Sequence, residues 1–384
     1  MPKLGETIAR LRRAKTDPAA DTSAGLQMQE STAFGPNPGA LRMLSYVPEG
    51  LEPGAPLVIV LHGCTQRAQA YASNAGWLTL AERCGFAVLA PEQSDANNPN
   101  RCFNWFEPQD AARGRGEAAS IRAMAAHAVE THGLDPQRVF VTGLSAGGAM
   151  TSVMLAAYPE AFAGGAIVAG LPFGIADNVQ TAFGAMRGGR ARSAAELGDL
   201  VRSAAPAAAR IPRVTVWHGD ADHTVNASNA TEVAKQWVAA HGHGGEPDGV
   251  EKLQGRTRVT WRSPDTGEVL VESNIVPGRA HGAPLATLGA EGLGAAAPFM
   301  LEAGVSSTLE IARFWGIAPP AEALATAPAT DTRVLEGEVL GPEIPADASV
   351  ASLGAQVMTS VEGRVSPDVA AVISRALKSA GLMK

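Results

Sequence analysis

Short, uninterrupted apolar runs recur along this chain, spaced so that a helix fits between them. Pro56-Leu-Val-Ile-Val-Leu-His62 has no polar residue from Leu57 to Leu61, the pattern of a strand covered on both faces in a parallel sheet. Phe86-Ala-Val-Leu-Ala90, Val139-Phe-Val141, Ala163-Gly-Gly-Ala-Ile-Val-Ala169 and Arg213-Val-Thr-Val-Trp217 repeat the theme. Helical stretches run through Ala81, from Glu117 to Thr131, beyond Asn226, and from Ser306 to Trp315. An earlier strand, Leu41 to Val47, follows a turn at Pro36-Asn-Pro-Gly39. Arg258-Val-Thr-Trp261 and Val269 to Val276 flank Pro264-Asp-Thr-Gly267 and predict a hairpin. The alternation predicts an α/β fold, a mostly parallel, doubly wound sheet with helices on both faces.

Two regions break this rhythm. Residues 174–206 are helical and rich in Ala and Arg, and they lie between two core strands, where a small helical cap over a site is inserted. Residues 318–350 are rich in Ala, Pro and Glu and predict a linker. A last helix is expected from Pro367 to Ala380, with Ser366 as N-cap, proline at the first position and Gly381 past the end. The organisation is then a lead-in over 1–30, with a short amphipathic helix at Met1 to Arg13, a main domain over 31–317, and an appendage over 318–384.

Composition narrows the partners. With 384 residues, 46% of them hydrophobic, the chain can bury a sizeable core. A net charge of −7 gives no basic footprint, which excludes nucleic acid as the expected partner. No apolar run approaches the roughly 20 residues of a membrane helix. The first residues lack the apolar segment of a secretory signal. The expected compartment is therefore the cytoplasm, with an extracellular or periplasmic location as the alternative if a leader has been removed.

The stretch that carries chemistry is Arg138-Val-Phe-Val-Thr-Gly-Leu-Ser-Ala-Gly-Gly-Ala-Met150. A β-branched strand breaks at Gly143 and turns at once into an Ala/Met-rich helix, with Ser145 in the G-x-S-x-G spacing. A nucleophile on such a turn is held in strained backbone above the sheet edge, and the helix N-terminus behind it favours developing negative charge. Serine needs a base, and the base needs an orienting carboxylate, in the chain order serine, acid, histidine. Of the histidines after Ser145, His281 sits in Pro277-Gly-Arg-Ala-His-Gly-Ala-Pro284, a turn just past a predicted strand and the place for a catalytic group in an open α/β sheet. His241 and His243 lie in a Gly-rich segment and are expected to be solvated. The acid comes from Val216-Trp-His-Gly-Asp-Ala-Asp-His-Thr-Val225, where Asp222 is favoured and Asp220 is the competing loop or capping aspartate. The expected oxyanion donors are the backbone N–H groups of Ala146 and Cys64, the latter in Leu61-His-Gly-Cys-Thr-Gln66.

The loop Asn97-Asn-Pro-Asn-Arg-Cys-Phe-Asn-Trp-Phe106 clusters aromatics beside amides. Asn104, Trp105 and Phe106 are candidate substrate contacts; the alternative is that Phe103, Trp105 and Phe106 plug the loop onto the sheet. Of the three cysteines, Cys84 is expected to pack in a helix. Cys64 and Cys102 fall in loops near the site; they would stay reduced in cytosol and could pair in an oxidising compartment. No Cys/His spacing matches zinc, and neither metal nor cofactor is expected.

The segments His62-Gly-Cys-Thr-Gln66, Asn98-Pro-Asn-Arg-Cys-Phe-Asn-Trp105, Gly143-Leu-Ser-Ala-Gly-Gly148 and His218-Gly-Asp-Ala-Asp-His-Thr-Val225 resemble the esterases of the polyhydroxybutyrate depolymerase family, relatives of feruloyl and acetylxylan esterases. The resemblance runs, in order, from residue 40 to residue 317. It implies an α/β-hydrolase fold, a triad of Ser145, Asp222 and His281, oxyanion donors at Cys64 and Ala146, and a disulfide between Cys64 and Cys102. It implies a serine esterase acting on poly- or oligo-hydroxyalkanoate esters through an acyl-enzyme. The alternatives are a feruloyl or acetylxylan esterase, an acyltransferase, and a non-catalytic granule-binding protein. Several members carry an aromatic soon after the catalytic histidine, whereas His281 is followed by Gly282-Ala-Pro284.

Overall fold

The computed structural model describes residues 25–320 except 205 and 207–209. The helices expected at Met1 to Arg13 and Pro367 to Ala380, and the linker past residue 320, lie outside the described residues. Ten strands form one sheet: β1 (Gln29–Ser31), β2 (Arg42–Tyr46), β3 (Leu57–Leu61), β4 (Ala87–Glu92), β5 (Val139–Leu144), β6 (Gly164–Val168), β7 (Arg213–Gly219), β8 (Gly249–Leu253), β9 (Arg256–Arg262) and β10 (Val269–Val276). Their spatial order is β1-β2-β4-β3-β5-β6-β7-β10-β9-β8. The run from β4 to β10 is parallel throughout, and the strands outside it pair antiparallel. β10 has two roles, the hairpin partner of β9 and the parallel neighbour of β7.

Every residue of β3 is buried, and the period-2 alternation of a strand divides them between two cores. Leu57, Ile59 and Leu61 belong to one core with Ile121 and Met124 of α3 (Gly116–His132), Met150 and Val153 of α4 (Ala146–Ala157) and Trp237 of α7 (Ser228–Ala240). Val58 and Val60 face the other way, into a second core with Tyr71 of α1 (Ala68–Asn74), Trp77 and Leu80 of α2 (Trp77–Cys84) and Trp315 of α8 (Ser307–Trp315). The helix expected through Ala81 is thus two helices, separated where Gly76 takes a φ of 86°. Ser306 caps α8, its hydroxyl accepting from Leu309 N at 3.3 Å.

The insertion between β6 and β7 contains α5 (Val179–Met186) and α6 (Ala194–Ala204). Leu197 and Val201 of α6 are fully buried, and the Nε2 amide of Gln236 on α7 donates to Leu197 O at 3.2 Å. A small two-stranded sheet, β11 (Ala283–Leu285) with β12 (Met300–Glu302), follows the His281 turn. No helix among the described residues is long and apolar enough to cross a membrane.

Candidate active site

β5 hands the chain to α4 at Ser145, whose φ of 59° and ψ of −116° lie in a region that residues with a side chain rarely enter. The contortion is possible because the next turn of chain has no side chain in the way. A Cβ on Gly147 would stand 2.1 Å from Leu61 O and 2.6 Å from His62 O, so α4 can start flush against the end of β3 only with glycine there. Ser145 N donates to Val168 O at 2.9 Å, anchoring the elbow to β6.

Past the end of β7, Asp222 is 2% exposed and accepts four N–H groups. Thr224 N and Val225 N reach Oδ1 at 2.8 and 2.9 Å, and His281 Nδ1 reaches Oδ2 at 2.7 Å. His218 Nε2 is 3.2 Å from the same Oδ2 and 3.0 Å from Val225 O. Burial alone would raise the pKa of this carboxyl; the imidazoles of His281 and His218 outweigh it and hold the pKa below the ordinary carboxylate value. Asp220, the competing acid, faces elsewhere: its Oδ1 accepts from Gly278 N at 2.6 Å and clamps the turn that carries His281. Gly219 is pressed against the same turn, where a Cβ would lie 2.1 Å from Arg279 O.

Ser145 and His281 line one small cleft with Gly63, Cys64, Gln66, Leu144 and Phe299. The serine hydroxyl and the imidazole are not hydrogen-bonded to each other; such contacts commonly tighten only around bound substrate. The amides at the rim divide into two groups. Gly63 N is taken by Gln66 Oε1 at 2.8 Å, Thr65 N by Asn100 O at 2.6 Å and Ser145 N by Val168 O. The N–H groups of Cys64 and Ala146 have no acceptor among the described residues, so they are free for a ligand.

Cys64 and Cys102 form a disulfide, as the resemblance implies. It ties the 97–106 loop to the end of β3. One of the two readings left open for the loop is met here, and the expectation of solvated histidines changes. Phe103 is fully buried and Trp105 is 7% exposed, both inside the core, so the loop's aromatics plug it onto the sheet. Asn104 gives its backbone and side-chain N–H groups to the buried Glu117, each at 2.8 Å. Asn104, Trp105 and Phe106 are not among the residues that line the cleft. His241 is not solvated: it is half-buried, Nε2 lies 3.0 Å from Pro212 O, and burial pulls its pKa down to about 4. His243 is paired too, 3.2 Å from Asp248 Oδ2.

Sequence reasoning missed three residues. His62 and His218 bear on the site through the backbone and through Asp222, and their only sequence signal was that each opens a segment of the family resemblance. Phe299, whose ring meets His281 edge-on at 5.9 Å, comes from the turn before β12. It supplies from a distance the aromatic that Gly282-Ala-Pro284 lacks, with no local signal.

Residues 41–258 match the family described as esterase PHB depolymerase. Poly(3-hydroxyalkanoate) depolymerase C of Paucimonas lemoignei is 40% identical over 301 residues, covering 78% of this chain and 72% of that protein. Feruloyl esterase B of Thermothelomyces thermophilus is 33% identical over 225 residues, 57% of this chain and 76% of that one. The solved acetyl xylan esterase from Aspergillus awamori covers 76% of this chain and 100% of its own, with a TM-score of 0.64 at 24% identity, a likeness of fold. Relatives named as esterases and depolymerases place hydrolysis above acyl transfer or passive binding. The chain belongs to the esterase PHB depolymerase family and is a serine hydrolase of carboxylic esters built on the α/β-hydrolase fold.

Proposed function

We propose that this hydrolase cleaves ester bonds of hydroxyalkanoate oligomers or polymers through an acyl-enzyme on Ser145, and that it works in an oxidising compartment. The observation that carries the residue roles is the 2.7 Å contact of His281 Nδ1 with Asp222 Oδ2 in a cleft shared with Ser145. With Nδ1–H donated to an ionised carboxylate, Nε2 is left as the base. Ser145 Oγ attacks the ester carbonyl while Nε2 takes its proton, and the oxyanion is held by Cys64 N–H and Ala146 N–H. Nε2 then protonates the leaving alcohol. Water repeats the sequence on the acyl-enzyme and frees the acid.

The substrate class rests on the depolymerase relative, 40% identical over 301 residues. The compartment rests on Cys64–Cys102, since such bonds persist where thiols are not kept reduced.

Hydrolysis of hydroxybutyrate oligomers, feruloyl esters and acetylated xylan should be compared, with Ser145→Ala as control. Preference for the oligomers supports the reading. Preference for feruloyl or acetyl esters transfers the enzyme to the polysaccharide side of its family, and turnover by Ser145→Ala removes the nucleophile assignment.

A further inference from the structure

His62 lies at the end of β3 with its side chain buried, and it has two partners. Gln93 N donates to Nε2 at 3.1 Å. A ring nitrogen that accepts carries no hydrogen, so the hydrogen of the neutral ring is on Nδ1. Nδ1 is 2.8 Å from Gly63 O and therefore donates to it. Burial pulls the ring's pKa down to about 4, with the Gly63 carbonyl opposing, so the neutral form prevails at working pH. Phe103 packs on the ring at 5.0 Å and fixes its plane.

The carbonyl that His62 holds belongs to the same peptide unit as Cys64 N–H. That peptide is trans, and in a planar trans peptide the C=O and N–H point in opposite directions. Gly63 O is drawn inward by His62 Nδ1 and by Gln66 N at 3.3 Å. Cys64 N–H is thereby turned the other way, on the side where Cys64 lines the cleft with Ser145. A donor on the carbonyl also polarises the peptide and strengthens its N–H as a donor.

We infer that His62 is a positioning residue for the oxyanion site, its Nδ1–H fixing the Gly63–Cys64 peptide so that the Cys64 amide faces the developing negative charge. The inference deepens the proposal above and rests on its assignment of the Cys64 amide.

The test measures kcat, KM and inhibition by a trifluoromethyl ketone, which forms a tetrahedral adduct on an active serine. For His62→Leu, kcat should fall about 10²-fold and the ketone's inhibition constant should rise by a similar factor, as for loss of one oxyanion donor. KM should stay within about threefold, the split expected of an interaction made only in the transition state. His62→Asn places an amide N–H near the Nδ1 position and should recover about tenfold of the lost kcat. A folded His62→Leu with unchanged kcat and ketone affinity overturns the inference, as does His62→Asn without recovery. The imidazole ¹⁵N spectrum of the unaltered enzyme decides independently of any variant. A neutral ring protonated on Nδ1 is expected, and protonation on Nε2 overturns the inference. Failure of the nucleophile assignment would show separately, as turnover by Ser145→Ala.

Discussion

His218 and His281 share one oxygen of Asp222, Nε2 of the first at 3.2 Å and Nδ1 of the second at 2.7 Å from Oδ2. Because the folded-state pKa of Asp222 is depressed, its contribution to stability is present above the ordinary carboxylate pKa and is lost as pH falls through the depressed value. His218→Phe removes one donor that favours the ionised form. Such hydrogen bonds contribute about 1.5–3 kcal/mol, so denaturant unfolding should show a loss near 2 kcal/mol. The acid limb of the pH–rate profile should move to higher pH. Unchanged stability and an unmoved limb would mean that the 3.2 Å contact contributes nothing.

The elbow holds Ser145 in costly backbone. Ser145 at φ 59° occupies backbone that costs a residue with a side chain roughly 1–3 kcal/mol. Both Ser145→Gly and Ser145→Ala should be inactive. Ser145→Gly should nonetheless melt at or above the temperature of Ser145→Ala, and a lower melting temperature would deny the strain. Gly147→Ala is the opposite case: its Cβ meets the Leu61 backbone oxygen, which cannot yield without moving β3. It should lose about 3 kcal/mol or more of stability, together with activity.

Glu117, 1% exposed, fastens the 97–106 loop through Asn104 and also accepts from Gln93 Nε2. Burial pushes its pKa up to about 8, the Asn104 amide opposing and Asp110 reinforcing. A carboxyl raised in the folded state favours folding while protonated, so this contribution is full below about 4.5 and is lost as pH rises toward about 8. Melting temperature should therefore decline across that window, and Glu117→Gln should flatten the decline. Equal slopes for both proteins would exclude Glu117 as the source.

The disulfide spans 38 positions, for which the chain-entropy estimate is roughly 4 kcal/mol at 25 °C. Reductant, or Cys102→Ala, should lower stability by up to that amount and slow turnover, because Cys64 then loses its tether. The remaining thiol, Cys84, forms no disulfide and lies in α2, so a reductant effect absent from Cys102→Ala assigns the loss to the one bridge.

How much of this was legible in the sequence followed how local the signals were. Leu57 to Leu61 announced a doubly covered strand because burial on both faces demands five apolar residues in a row, and the Ser145 elbow is written within five positions. β8 was invisible: Gly249–Leu253 is an edge strand with four of five residues exposed and no apolar pattern to read. Trp105 was ambiguous because a buried and a displayed aromatic look alike in sequence. His62 and Phe299 act on residues reached only through folding, in one case by a peptide's orientation and in the other across the 17 residues between His281 and Phe299.

The acid loop and the histidine turn meet at four successive residues. Gly219 abuts Arg279, Asp220 grips Gly278, Ala221 N donates to Arg279 O at 3.1 Å, and Asp222 holds His281. Ser145 stands on a different element, fastened to β6 rather than to this pair. Asp222 and His281 therefore belong to one tightly joined unit and Ser145 to another. A bound inhibitor should therefore shorten the Ser145–His281 separation while leaving the Asp222–His281 spacing unchanged.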